Sequence, residues 1–203
     1  MLKKSLVVTM VAVIAACFAG TAFADIVCAD SSYCVVTIGT KDRVTIAPAD
    51  IDALEYFPAV GITIRVYLKN CAGAPLVGVP ASEIVLFGAG LCICPGGNVA
   101  DAATDLNGCT QFTGTIRGGG CVESLTLFAD GIGICTMPVK TNSPDHVPAS
   151  PCFVDGSDIS GLSQALGNPA FYSICKDYNE TGPPTINGGD VSYFASLLGK
   201  FCQ

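Results

Sequence analysis

The chain has 203 residues, a formal net charge of −7, twelve cysteines, one histidine and no tryptophan. An acidic chain repels phosphate backbones, so nucleic acid is not an expected partner. One histidine, His146, leaves little for histidine-centred catalysis, and the missing tryptophan removes the commonest aromatic platform for sugars.

The first predicted element is an export signal. Lys3 and Lys4 precede an apolar run from Leu6 to about Ala19, and Ala22-Phe23-Ala24 supplies the small-x-small pattern that a signal peptidase cleaves. Residues 1–24 are expected to be a signal peptide of bacterial type, with Asp25 as the first mature residue. The run is short for a membrane span. Ile14-Ala15-Ala16-Cys17 also resembles a lipobox, and membrane attachment is expected only if Cys17 is lipidated. Both readings place the protein outside the cytoplasm, secreted or at the cell surface. Cleavage leaves 179 residues with a net charge of −9 and eleven cysteines: Cys28, Cys34, Cys71, Cys92, Cys94, Cys109, Cys121, Cys135, Cys152, Cys175 and Cys202. In an oxidising compartment these are disulfide candidates, of open connectivity. Their odd number leaves at least one thiol free or shared with another molecule. Zinc is disfavoured, because Cys92-Ile93-Cys94 is C-x-C and His146 lies far along the chain.

Residues 25–140 read as an all-β domain. The strand-prone runs are Tyr33–Ile38, Arg43–Ile46, Ile62–Leu68, Ile84–Phe87, Leu91–Cys94, Gln111–Ile116, Leu125–Ala129 and Gly131–Met137. Turn residues punctuate them: Asn70 to Pro75, Val77 to Pro80, Asp105-Leu106-Asn107-Gly108 and Gly118-Gly119-Gly120. Short strands so regularly interrupted predict a β-sandwich. Thr63 to Pro80, TIRVYLKNCAGAPLVGVP, and Thr104 to Cys121, TDLNGCTQFTGTIRGGGC, resemble the strand–turn–strand segments of bacterial immunoglobulin-like domains. The resemblance implies an immunoglobulin-like sandwich. Fold by itself does not give function.

Beyond a linker at 141–151, residues 152–203 form a second unit, whose internal duplication begins at Asp145. Residues 145–167 and 177–199 align without a gap at an offset of 32. Val154-Asp155-Gly156-Ser157-Asp158 matches Ile186-Asn187-Gly188-Gly189-Asp190. Ile159, Leu162 and Leu166 match Val191, Phe194 and Leu198. Each repeat reads as a polar loop and one short amphipathic helix, with Asp158 and Asp190 as N-caps and Gly167 and Gly199 as C-cap glycines. The two helices are expected to bury their apolar faces against each other, and Cys152, Cys175 and Cys202 to brace the unit.

This pattern resembles the dockerin module, whose paired loop–helix repeats bind calcium and dock onto a partner protein. The resemblance implies a Ca²⁺ site in the second loop from Asp177, Asn179, Thr181, Asn187 and Asp190, with two extra residues at Pro183-Pro184-Thr185. It implies a weaker site in the first loop from Asp145, Asp155 and Asp158, because Val147 and Ala149 offer no side-chain oxygen there. No catalytic constellation emerges. The scattered Glu55, Glu83, Glu123 and Glu180 form no recognisable pair, and Gly118-Gly119-Gly120 lacks the lysine of a phosphate loop. The expected function is non-enzymatic: a secreted structural or interaction protein that mediates protein assembly or adhesion, with calcium as the implied stabilising ion. One alternative is a self-assembling subunit of an extracellular fibre or sheath, suggested by the odd cysteine and the apolar stretch from Ile26 to Ile38. Another is a carbohydrate-binding accessory module or enzyme.

Overall fold

The computed structural model describes residues 26–48, 57–146, 152–178 and 185–202. The signal peptide, Cys17, residues 147–151, Asn179, Glu180, Thr181 and Pro183-Pro184 lie outside the described residues.

The chain is mainly β. Among the described residues ten strands run in order: β1 (Tyr33–Ile38), β2 (Arg43–Thr45), β3 (Ile62–Tyr67), β4 (Ile84–Phe87), β5 (Cys92–Ile93), β6 (Cys109–Phe112), β7 (Gly118–Gly119), β8 (Leu125–Ala129), β9 (Ile132–Met137) and β10 (Lys140–Asn142). Two α-helices follow, α1 (Gly156–Ala165) and α2 (Gly188–Leu197). One three-stranded sheet is ordered β1–β3–β6 and another β4–β8–β9, both antiparallel. Two small pairs complete the β part, β2 with β10 in parallel and β5 with β7 antiparallel.

Alternation of residue type decides which face of each sheet turns inward. In β3, Ile62, Ile64 and Val66 are buried while Thr63 and Arg65 face out. In β8, Leu125, Leu127 and Ala129 are buried. These side chains share one core with Phe57, Ile84, Leu86, Phe112, Ile116 and Met137. Each fully buried leucine or isoleucine contributes about 1.5–3 kcal/mol, so this core dominates the stability of the β part.

Five disulfides join ten of the eleven cysteines expected in the mature chain, and Cys109 is the free one among the described residues. Cys28–Cys71 and Cys34–Cys135 brace the β part. The other three run from it to the C-terminal unit: Cys92–Cys152, Cys94–Cys202 and Cys121–Cys175. Cys152, Cys175 and Cys202, expected to brace the helical unit, each find their partner across the boundary and so tie that unit to the β part. Five disulfides point to an oxidising environment. No helix among the described residues is long and apolar enough to cross a membrane.

The described part of the expected linker is built into the fold. Residues 141 and 142 belong to β10, which pairs with β2, and Asn142, Ser143 and Asp145 are buried. Gly118 and Gly119, expected to mark a reversal, instead form β7. A Cβ at Gly119 would collide with the Asp145 carboxylate, and one at Gly118 with the Cys92 carbonyl oxygen. Glycine is needed at 119 because Asp145, where the duplicated segment begins, approaches the strand so closely, and at 118 because β5 does.

Candidate functional site

The two loop–helix units are held by matching bonds. The N-caps are Asp155 and Asn187, whose side chains accept from the Ser157 and Gly189 amides, each at 2.7 Å. Asp158 and Asp190 sit three residues later and complete capping boxes by accepting from the Asp155 and Asn187 amides at 3.0 and 2.8 Å. The helices thus begin earlier than expected, with Asp158 and Asp190 inside the first turn instead of capping it. Asparagine and aspartate are equally good N-caps, so the signal lay in Asp155 and Asn187 themselves, each followed three residues on by an acid. Gly167 and Gly199 have φ of 65° and 82° and terminate the helices as expected.

The second oxygen of each buried acid reaches back to the start of its own loop. Asp158 Oδ1 accepts from the His146 amide at 3.1 Å, and Asp190 Oδ1 from the Tyr178 amide at 2.7 Å. The units also exchange bonds. The Gly167 amide donates to the Ile186 carbonyl at 3.1 Å, and the Gly199 amide to the Val154 carbonyl at 2.9 Å. Positions 167 and 199 are repeat equivalents, as are 154 and 186, so the two units close on each other about a local two-fold. Val154, Leu162, Ala165, Tyr178, Ile186, Phe194 and Leu197 form their core, which Ala47 of the β part joins.

The residues proposed as metal ligands are brought to the same region but in different roles. Asp177 is buried, and its Oδ2 accepts from the Tyr172 hydroxyl at 2.9 Å. Its carbonyl accepts from Asn142 Nδ2 at 2.7 Å, a contact with the β part. Asn179 and Thr181 lie outside the described residues. Asp145 is turned toward β7: its Oδ2 accepts from the Phe153 amide at 3.1 Å, and its carbonyl from the Gly120 amide at 2.6 Å. Among the described residues, two groups of three cysteine, histidine or acidic side chains bring their ligand atoms within 4.8 Å of one another. They are Cys94, Cys152 and Cys202, and Cys92, Asp145 and Cys152. Every sulfur in both groups is engaged in a disulfide.

Burial, and then the negative charge of Asp158, push the Asp145 carboxyl up to about 7. Burial holds His146 below the ordinary imidazole value, with Asp158 pulling the other way. His146 packs over α1, where a Cβ at Gly161 would collide with its ring. That fit explains an otherwise unfavourable glycine inside a helix. Burial, followed by the charges of Asp158 and Asp190, raises the Tyr178 hydroxyl above its usual range.

The helices do not bury all of their expected apolar faces. Leu162 and Phe194 are buried, but Ile159, Leu166, Val191 and Leu198 are 36–48% exposed. With Ser163 and Ala195 these side chains line a groove of about 270 Å³ between α1 and α2. Its lining is made of repeat equivalents: Ile159 with Val191, Leu162 with Phe194, Ser163 with Ala195, and Leu166 with Leu198. The charged residues of the two helices, Asp158 and Asp190, are both buried, so the helices present no exposed charge. The contact between the β part and the helical unit had only indirect sequence signals, the triple glycine at 118–120 and three cysteines in the last 52 residues.

No family model matches the chain, and no curated protein does either. Among solved structures it is similar to the Lin-41 filamin domain, at 16% identity and a TM-score of 0.28, over 58% of this chain and 95% of that one. A likeness of that size says nothing about function.

Proposed function

We propose that the chain is a secreted, non-enzymatic interaction protein that assembles with a protein partner through its helical pair. The observation that carries this reading is the groove between α1 and α2. Four large apolar side chains stay exposed along it, and no exposed charge lies on either helix. Clustered exposed apolar surface and depletion of charge are marks of an interaction site. Each helix has ten residues, so the groove runs for about 15 Å and suits the apolar face of one partner helix. The β part, an immunoglobulin-like sandwich in this reading, serves as a spacer. Three disulfides fix the groove's orientation on it. The dockerin-like resemblance extends the proposal to calcium in the second loop, between Asp177 and Asp190.

The test is a paired replacement, Leu166→Asp with Leu198→Asp. Both side chains are 48% exposed, so the fold should be retained. Mature wild-type protein should retain specific proteins from the surrounding secreted fraction, and the variant should lose them. Equal capture by both proteins would refute the reading.

A further inference from the structure

β1 is an outer strand. Its sheet is ordered β1–β3–β6, and among the described residues no strand pairs with its other side. Two hydrogen bonds fix the phase of the ladder. The Gly39 amide donates to the Gly61 carbonyl at 3.0 Å, and the Leu68 amide to the Gly108 carbonyl at 2.8 Å. Bonded and unbonded pairs alternate in an antiparallel ladder. Odd-numbered residues of β3 therefore bond to β1, and even-numbered ones to β6. The main-chain groups of Tyr33, Val35 and Thr37 face β3, and those of Cys34, Val36 and Ile38 face outward. Three donors and three acceptors thus lie along about 20 Å of strand edge.

That edge lacks the usual protections. Its sequence, YCVVTI, has no charge and no proline, and Tyr33 and Val35 are 44% and 47% exposed. β9, with sequence IGICTM, is an outer strand of the other sheet and is also uncharged. The Cys34–Cys135 disulfide ties these two outer strands together. A register shift opposite Leu127 and Phe128 marks a bulge in β9, which leaves β1 as the regular edge.

We propose that this flank pairs with the same flank of a second copy, β1 adding antiparallel to the second copy's β1 across a two-fold axis. The paired sheets would then run β6–β3–β1–β1–β3–β6. An antiparallel edge is complementary to itself, since each copy offers the same outward donors and acceptors. The chain carries a net charge of −7, yet neither β1 nor β9 carries any charge, so no like charges on these strands oppose the seam. The surface is separate from the groove between the helices, and its dimer does not depend on that groove.

Sedimentation equilibrium of the oxidised mature chain tests the pairing. Val36→Pro removes an outward amide and no bond to β3. Val35→Glu places like charges beside the seam at an exposed position whose partner in its own β3 is Arg65. The wild type should sediment as a dimer. Both variants should associate about tenfold more weakly or worse, with unchanged β-sheet circular dichroism, while Leu166→Asp with Leu198→Asp stays dimeric. A wild type that is monomeric at about 0.1 mM would overturn the proposal. So would a dimer indifferent to Val35→Glu, or one lost in Cys109→Ser and therefore joined through Cys109.

Discussion

Replacing Asp190 by alanine tests how the second loop–helix unit is held. The side chain is fully buried and accepts from two backbone amides, Tyr178 at 2.7 Å and Asn187 at 2.8 Å. Alanine leaves both donors without that acceptor. A hydrogen bond to a charged group is worth about 1.5–3 kcal/mol, so losing the two together costs about 3–6 kcal/mol. For a chain of this length the melting temperature should fall by about 6–24 °C. Asp190→Asn keeps one acceptor oxygen and should fall roughly half as far. Calorimetry of the full oxidised protein measures the shift, and hydrogen exchange at the Tyr178 and Asn187 amides localises it. Running the same melts with calcium and with chelator separates capping from metal binding. Bound calcium at about a hundred times its dissociation constant would add about 2.7 kcal/mol to the wild type, and Asp190→Ala would abolish that increment. A drop below about 1 °C in Asp190→Ala, with unchanged exchange at both amides, would refute the capping argument.

Asp145, buried at the start of the first unit, gives a test in pH. Its folded value of about 7 lies above the ordinary 3.8, so the folded state binds the proton more tightly than the unfolded chain does. This group's contribution to stability therefore falls as pH rises between those values and is level above them. Asp145→Asn should melt higher than wild type near pH 8 and alongside it near pH 4. Parallel curves in calorimetry across that range would contradict the assignment. Replacing Cys121 and Cys175 together by serine opens a bond of sequence separation 54 and should cost about 4 kcal/mol. Intact mass before and after reduction confirms the lost disulfide, and an unchanged melting temperature would show that the bond does not stabilise the junction.

Much of the β part was legible because alternation and turn residues act locally. Tyr33–Ile38, Ile84–Phe87 and Leu125–Ala129 form strands with the expected bounds. The Asp105 turn closes through its own carboxylate, which accepts from the Asn107 and Cys109 amides. Gly118–Gly119 and Lys140–Asn142 were not legible as strands. Their pairing is dictated by neighbours distant in sequence, Cys92–Ile93 and Arg43–Thr45, and glycines carry no propensity signal for a strand. The duplication at 145–199 was visible because it repeats spacing. The roles of Asp158 and Asp190 were misplaced by three residues because an acid in the first turn and an acid at the cap both precede the same apolar pattern. Exposure of Ile159, Leu166, Val191 and Leu198 was invisible for another reason. Periodicity marks an apolar face but cannot say whether a neighbour covers it.

The disulfides that cross the boundary have a mechanical consequence. They leave the β part at Cys92, Cys94 and Cys121 and arrive at Cys152, Cys202 and Cys175. Tension applied to the helical pair would pass into β5 and the residues just after β5 and β7 through sulfur, bypassing the intervening segment 143–151. Hydrogen-bonded strands can be unzipped one pair at a time, but a covalent bridge does not yield that way. The helices could therefore be dragged without being peeled from the sheets, and cutting the backbone between residues 147 and 151 would leave both pieces attached.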